Sequence, residues 1–264
     1  MIDFHNHVLP NVDDGSKSLD MSLSMLRYAA EQGITDVVNT VHFQHPKVET
    51  DDISIKRIQR EVEQLQTELD KNGIEIHLHS GAEVFFLPNL LQIKNNHLAT
   101  FSHGKYMLIE FQAHQIPDIQ KQQLFELKMA GVTPIIAHPE RYKPVQENIN
   151  FVTDWLEAGC IIQVDAGSPL GYLGKNAQKT SEIIIKNGWC QILGSDAHHD
   201  RHRNFCLKEC VDLIQNWGNY LVDDMVNKNP KAVILGEPIF VNVEYEQVEP
   251  SNIFSRIKSK IGLS

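Results

Sequence analysis

One local pattern recurs five times along the chain and constrains its fold class. A polar amphipathic stretch ends in glycine, and a short run rich in β-branched residues follows at once; the runs lie at residues 33–38, 73–76, 131–136, 159–162 and 188–192. Glycine is favoured just past a helix end because it adopts the left-handed conformation without a steric penalty. A short Val/Ile-rich run after it is typical of a buried parallel strand. The repetition predicts an α/β protein with alternating helices and strands.

The pattern predicts seven strands, at residues 2–8, 35–41, 74–83, 106–111, 133–137, 160–165 and 190–194. It predicts helices at about 18–32, 51–72, 117–130, 148–158, 175–187 and 204–217. Seven strands with helices between most of them favour a (β/α) barrel over an open sheet, and 264 residues suit a single barrel domain. We expect this barrel to cover residues 1–238, with 219–238 as one more short helical packing element.

The remaining residues, 239–264, are predicted to form a C-terminal tail. Ile253, Phe254, Ile257 and Ile261 recur at helical spacing with basic residues between them. One interpretation is a short amphipathic helix that docks on its own barrel or on a second subunit. The other is a basic amphipathic contact with a membrane or a partner.

Composition narrows the cellular setting and the partners. With 24 basic and 34 acidic residues the net charge is −10, which argues against nucleic acid as the main partner. The N-terminus lacks a signal-peptide pattern, and no apolar run approaches the roughly 18 residues of a membrane span. The four cysteines form no C-x-x-C pair. We therefore expect a cytoplasmic protein with reduced thiols.

Two pairs of candidate metal ligands flank predicted strands. His5 and His7 lie on the first strand, where alternation places both side chains on the same side. Asp196 and His198 have the same spacing after the last strand. Two such pairs at strand ends indicate a metal site that uses nitrogen and oxygen ligands.

Further candidates sit where other strands end. His42, Glu83, Glu110 and His138 each close a predicted strand, and the active site of a (β/α) barrel is built at the C-terminal strand ends. Asp14 could add a carboxylate, although the Asp13-Asp14-Gly15 run is also typical of a turn or a helix N-cap. Ligation by nitrogen and oxygen without cysteine suits Mn, Fe or Zn.

These residues resemble a known superfamily. The segments HNH at 5–7, GAE at 81–83, HPER at 138–141 and GSDAH at 194–198 resemble the PHP superfamily, named for polymerase and histidinol phosphatase domains. Within it, residues 9–15 and 137–142 are similar to the bacterial capsule-type protein-tyrosine phosphatases. The resemblance covers roughly residues 1–236 and implies a distorted (β/α)7 barrel of the PHP type.

The resemblance implies three divalent metal ions, most readily Mn²⁺. Its ligand set would be His5, His7, Asp14, His42, Glu83, Glu110, His138, Asp196 and His198. Glu83 would bridge two metals, and Asp14, His42 and His198 would hold the third. His77 and His79 are expected to face away from the core or to lie between helices. His45, His97, His103 and His114 are expected to be solvated in loops. His199 and His202, beside the ligands, could contact substrate.

The resemblance also places Arg141 and Arg203 in the pocket, where a guanidinium fork matches phosphate oxygens. The alternative for Arg203 is a solvated surface charge. His199 is a speculative proton donor. The implied reaction is hydrolysis of phosphotyrosine by metal-activated hydroxide, on a partner such as a bacterial tyrosine kinase of capsule or exopolysaccharide synthesis.

Other classes remain to be compared. Cysteine-based tyrosine phosphatases need an arginine six positions after the nucleophile, and none of the four cysteines has one. Another PHP phosphoesterase, acting on histidinol phosphate or a nucleotide, is the main alternative. A metal-binding scaffold without catalysis is less favoured, because every ligand position is filled.

Overall fold

A computed structural model describes residues 1–46, 48, 53–218 and 221–239. The strands are β1 Ile2–Asn6, β2 Asp36–Phe43, β3 His77–Phe85, β4 Tyr106–Glu110, β5 Thr133–Ala137, β6 Ile161–Asp165 and β7 Ile192–Gly194. The helices are α1 Leu19–Glu31, α2 Ile55–Lys71, α3 Leu90–Ile93, α4 Gln120–Met129, α5 Lys143–Glu147, α6 Asn150–Glu157, α7 Lys175–Lys186, α8 Leu207–Trp217 and α9 Asn229–Leu235. Apart from Ile239, the predicted tail lies outside the described residues.

The seven strands form one parallel sheet in the order of the sequence, from β1 to β7. The two edges meet just beyond the end of β7. The His7 amide donates to the Ala197 carbonyl at 2.8 Å, and the Asp196 amide donates to the His5 carbonyl at 2.7 Å. These bonds close the sheet, and the predicted seven-stranded (β/α) barrel is confirmed.

Apolar side chains divide into two layers because successive strand residues point to opposite faces. On β5, Ile135 belongs to a small cluster inside the barrel, which Phe4 and Phe101 share. Its neighbour Ile136 belongs to the larger cluster between the strands and the surrounding helices. The barrel interior is therefore packed with side chains below the strand ends, and polar groups are left to gather above.

The two longest helices, α1 and α2, begin where a serine side chain caps them. Ser18 precedes α1, and its side chain accepts a hydrogen bond from the amide of Met21 at 3.2 Å. Ser54 precedes α2 and accepts from the amide of Arg57 at 3.3 Å. Each cap satisfies an amide that the first helical turn leaves without a partner.

Several element boundaries differ from the predictions. Residues 74–76 were expected in β3, but the Ile76 amide bonds the Ile74 carbonyl at 2.9 Å in a local turn, and the strand begins at His77. β3 also continues past Glu83 to Phe85, because both β2 and β4 pair with it there. The short helices α3 and α5 were not predicted.

Residues 219–238 were predicted to form a short helical packing element, and the structure has helical segments in this region. A π-helical turn at Asp224–Lys228 runs directly into α9. Val233 of α9 is fully buried in the cluster inside the barrel, so the element covers the barrel end opposite the strand C-termini. No helix within the described ranges is long and apolar enough to cross a membrane.

Candidate metal centre

Six of the seven strands bring predicted ligands to one end of the barrel. The nine predicted residues are His5 and His7 at the end of β1, Asp14 in the loop after it, His42 on β2, Glu83 on β3, Glu110 on β4, His138 after β5, and Asp196 and His198 after β7. The remaining strand, β6, carries Gln163 and Asp165 instead. Convergence from six strands is possible because a parallel barrel places all its C-terminal ends on one face.

Glu83 lies at the centre of the inner group and is almost fully buried. Its Oε2 lies 3.2 Å from His5 Nε2, 3.5 Å from His7 Nε2 and 3.3 Å from His42 Nδ1. Its Oε1 lies 2.8 Å from His138 Nε2. One carboxylate therefore faces imidazoles from four positions, an arrangement that suits the predicted bridging role of Glu83.

A second, outer group surrounds Asp14. Its Oδ1 lies 3.2 Å from His42 Nε2 and 3.4 Å from His198 Nε2. The side chain of Asp14 is 53% exposed, whereas the two imidazoles are largely buried. His7 joins them in a set whose ligand atoms lie within 4.8 Å of one another, as do His5, His7 and Asp196, and also His5, Glu83 and His138.

The polar atoms in this group fit metal ions. Across the described residues, nine buried side-chain nitrogen or oxygen atoms have no hydrogen-bond partner, and six of them belong to His5, His7, His42, Glu110, His138 and Asp196. Orphaned polar atoms are costly in a protein interior, and their concentration at one point needs a compensating group. Imidazole and carboxylate donors suit Mn, Fe or Zn.

Two of the predicted ligand histidines, His5 and His7, have a partner on the other ring nitrogen. His5 Nδ1 lies 3.0 Å from Gln163 Oε1, and His7 Nδ1 lies 2.8 Å from Asp13 Oδ2. These acceptors favour a proton on Nδ1, which leaves Nε2 able to bind a metal. Asp13 also accepts a hydrogen bond from the Gly15 amide at 3.0 Å, so a turn is present at Asp13-Asp14-Gly15. The same Asp13 side chain therefore both forms the turn and orients His7.

Glu110 lies apart from the inner group and faces His45. Their Oε2 and Nε2 atoms are 3.6 Å apart, and with His42 they form another set of close ligand atoms. The prediction that His45 is solvated is wrong. The left-handed backbone of Gln44 turns the chain back, so that the His45 ring packs 4.5 Å from His42 and edge-on to Phe85.

Both predicted arginines reach the centre. Arg141 Nη1 and Arg203 Nη2 each make a very short hydrogen bond to Asp196 Oδ2, while Asp196 Oδ1 faces His5 and His7 at 3.4 Å. The Arg203 side chain is 38% exposed, so it combines contact with solvent and an ion pair to the buried Asp196. Asp196 and Arg203 have left-handed φ values of 44° and 56°, and such local strain in non-glycine residues is concentrated at functional sites.

His199 lies at the rim and bonds within its own loop. Its Nδ1 is 3.0 Å from Asp200 Oδ1 and accepts from the Arg201 amide at 3.1 Å. Its side chain is 45% exposed. His79 lies away from the cluster, as expected, and bonds Asp36 at 2.9 Å near the opposite end of β3.

The electrostatic field favours ionised carboxylates in the inner group. Burial alone would raise the pKa of Glu83, but His5 and His138 hold that pKa well below its usual range. His198, His5 and the two arginines likewise overcome burial and depress the pKa of Asp196. By contrast, burial and the nearby Glu83 charge raise the pKa of Glu110 well above normal. The inner carboxylates are thus anionic before any cation binds.

The fold and this cluster define a class: a (β/α) barrel with a candidate multi-metal centre at its C-terminal face. Residues 1–235 match the family described as capsular polysaccharide synthesis, CpsB/CapC. The putative tyrosine-protein phosphatase CapC of Staphylococcus aureus is 32% identical over 240 residues, covering 90% of this chain and 93% of that protein. The chain belongs to the CpsB/CapC family.

Solved structures agree with this assignment. The crystal structures of YwqE from Bacillus subtilis and CpsB from Streptococcus pneumoniae, described as unique metal-dependent tyrosine phosphatases, include a chain that matches with a TM-score of 0.85 and 28% identity. The match covers 92% of this chain and 97% of that one. An organophosphorus hydrolase from Deinococcus radiodurans, with a TM-score of 0.56 and 11% identity, shares the fold alone.

Proposed function

We propose that this protein is a metal-dependent protein-tyrosine phosphatase that uses three divalent ions, with Mn²⁺ as the preferred metal. The observation that carries the proposal is the single Glu83 carboxylate, which faces the imidazoles of His5, His7, His42 and His138. Two arginines pair with Asp196 in the same cluster. The relatives named as tyrosine-protein phosphatases support the substrate class. The nine predicted ligands would hold the ions.

Bound divalent ions would supply Lewis acidity to a phosphoryl oxygen and to the attacking water. The chain's own residues do the rest. Arg141 and Arg203 present guanidinium donors beside Asp196 and would bind the non-bridging phosphate oxygens. Gln163 and Asp13 keep the His5 and His7 rings oriented, so the site is held before substrate arrives.

The leaving group explains a preference for phosphotyrosine. A tyrosine phenol has a pKa near 10, so it departs as an anion far more readily than a serine alkoxide and depends less on a general acid. We therefore expect phosphoserine peptides to be poor substrates. The contacts of His199 with Asp200 and Arg201 both involve Nδ1, so Nε2 is the ring nitrogen that would donate a proton.

A cysteine nucleophile does not compete with this mechanism. All four cysteines are buried free thiols. Burial raises the pKa of Cys160 to about 12 and raises the pKa of Cys190, Cys206 and Cys210 further. A thiol becomes nucleophilic as the thiolate, so these groups are inert at neutral pH.

The protein partner is proposed to be a bacterial tyrosine kinase of capsule or exopolysaccharide synthesis, in the cytoplasm. The family description supports the capsule setting, and four unpaired thiols suit a reducing compartment. Dephosphorylation of the purified, autophosphorylated kinase would test the partner directly.

The decisive measurement compares kcat/KM for a phosphotyrosine peptide, a phosphoserine peptide, histidinol phosphate and a nucleotide with the Mn²⁺-loaded protein. We expect the phosphotyrosine peptide to be preferred at least about tenfold over phosphoserine, a difference of about 1.4 kcal/mol in transition-state stabilisation. Glu83→Gln serves as the inactive control. A preference for histidinol phosphate would overturn the tyrosine phosphatase proposal and favour the other phosphoesterase class.

A further inference from the structure

β6 stands out because it brings no predicted metal ligand to a site that all six other strands supply. Its residues Gln163 and Asp165 have the two-residue spacing that places both side chains on one face of the strand. Both are buried. Gln163 bonds His5, so this face of β6 points toward the cluster and its second residue calls for an explanation.

The two carboxylate oxygens of Asp165 have different partners. Oδ1 accepts a hydrogen bond from the Gly167 amide at 2.8 Å, which ties the side chain to the start of the next loop. Oδ2 lies 3.5 Å from Arg141 Nη1. The Asp165 amide in turn donates to Glu140 Oε1 at 3.0 Å, so Asp165 and the segment that bears Arg141 are joined at two points.

Arg141 needs such a partner. Its other carboxylate neighbour, Asp196, is a predicted metal ligand and already receives Arg203 on the same oxygen. Asp196 Oδ1 faces His5 and His7, so the two arginines share its other oxygen, Oδ2. The Asp165 carboxylate adds a second negative charge beside Arg141 Nη1 and leaves the other N–H donors of the guanidinium to be directed at phosphate.

We infer that Asp165 is a positioning residue, which holds the Arg141 guanidinium where it can bind the phosphoryl group of the substrate. The inference rests on the proposed function. In the described part of the chain, the sets of close ligand atoms do not include Asp165, which separates it from the metal ligands. Asp165 thus acts on the phosphate through Arg141 rather than through a metal.

Asp165→Asn is the direct test, because it removes the charge facing Arg141 and retains an oxygen for the Gly167 amide. With the Mn²⁺-loaded full-length protein, we expect kcat/KM for an aryl phosphate to fall, and the dissociation constant of inorganic phosphate measured by calorimetry to rise, each by roughly 10-fold or more. Metal content should match the wild type. Asp36→Asn, which removes a carboxylate that bonds His79 away from the cluster, should change both values less than about twofold.

A double-mutant cycle distinguishes positioning of Arg141 from support of the loop. If Asp165 acts through Arg141, then Asp165→Asn should weaken phosphate binding by less than about twofold in the Arg141→Ala background. An equal loss in both backgrounds, or a wild-type phosphate affinity in Asp165→Asn, would overturn the inference. Phosphate affinity requires no turnover, so a wild-type protein that binds phosphate but lacks phosphatase activity would refute only the proposed function.

Should Asp165→Asn fail to fold, Asp165→Glu replaces it in the same cycle. This variant keeps the carboxylate, so we expect phosphate to bind within about threefold of the wild type and far more tightly than to Arg141→Ala. Binding as weak as in Arg141→Ala, in a folded protein with normal metal content, would contradict the positioning role.

Discussion

At the scale of single residues, Glu83 is the most consequential side chain of the centre. Its two oxygens face imidazoles from β1, β2 and the end of β5. An anion shared in this way allows cations to lie close together, because it offsets their mutual repulsion. An amide of the same shape carries no charge and cannot do so.

We therefore predict that Glu83→Gln lowers the bound metal per chain by more than half and abolishes phosphatase activity, with the fold preserved. Elemental analysis of the purified protein and circular dichroism measure the two properties. The matched control is His79→Gln, on the same strand but bonded to Asp36 away from the site. A Glu83→Gln protein with wild-type metal content would show that Glu83 is not a bridging ligand.

Gln163 is not a predicted ligand, but it contacts one. Its Oε1 accepts from His5 Nδ1 and from the His138 amide, at 3.0 Å and 3.3 Å. Loss of such an oriented partner typically weakens metal affinity by about 10- to 100-fold. We expect a loss in this range for Gln163→Ala, measured by competition with a chromophoric chelator.

The control for that experiment is another buried glutamine. Gln191 accepts a hydrogen bond from the Ile162 amide at 2.9 Å, outside the cluster. Gln191→Ala should lower the melting temperature while leaving metal affinity unchanged. Equal metal affinities for both variants would assign Gln163 a purely structural role.

At the scale of elements, the sequence was most informative about strand ends. A parallel barrel places all its C-terminal strand ends on one face, so residues such as Glu83 and Asp196 could be assigned to one site from the sequence alone. Residues whose role depends on tertiary contacts were not predictable. Gln163 and Asp165 resemble ordinary polar strand residues, and His45 reaches Glu110 through a left-handed turn at Gln44 that the sequence does not signal.

Strand boundaries were misjudged for a related reason. The alternation of Ile74 and Ile76 has the period of a strand, yet those residues turn locally before β3 begins. Both side chains are buried against the helical layer. The alternation of apolar residues therefore reflects burial and not hydrogen-bonded pairing with a neighbouring strand. The predicted end of the barrel domain at residue 238 stays a prediction.

Packing inside the barrel brings the backbone of Gly81 on β3 very close to the Phe101 ring. A Cβ built on Gly81 would lie 2.2 Å from Phe101 Cε1, and the Phe101 ring packs 5.1 Å from that of Phe4. Gly81→Ala should therefore overpack the barrel and destabilise it by about 1–3 kcal/mol, seen as a lower unfolding midpoint in urea.

Phe101→Leu provides the complementary change. Because a smaller side chain at position 101 makes room for the added methyl group, the double variant should be less destabilised than the sum of the two single variants. Additive free energies of unfolding would mean that the clash is relieved elsewhere, and that Phe101 does not set the requirement for glycine at position 81.

At the scale of the whole molecule, the candidate metal centre lies where the barrel closes. β1 and the segment after β7 are joined by the hydrogen bonds His7–Ala197 and Asp196–His5, and His5, His7 and Asp196 are also predicted ligands. Ions bound there would hold the first and last strands together. A ligand that binds only the native state stabilises it by about 2.7 kcal/mol at 100 times its dissociation constant.

We therefore predict that chelation lowers the melting temperature of the wild-type protein by about 5–10 °C, since 1 kcal/mol corresponds to roughly 2–4 °C for a chain of this size. Re-addition of Mn²⁺ should restore both the melting temperature and phosphatase activity, and more completely than Zn²⁺. Scanning fluorimetry with and without chelator measures the shift, and Glu83→Gln should show little of it. If neither chelator nor Mn²⁺ changes the melting temperature of the wild-type protein, metal binding does not stabilise the closure of the barrel.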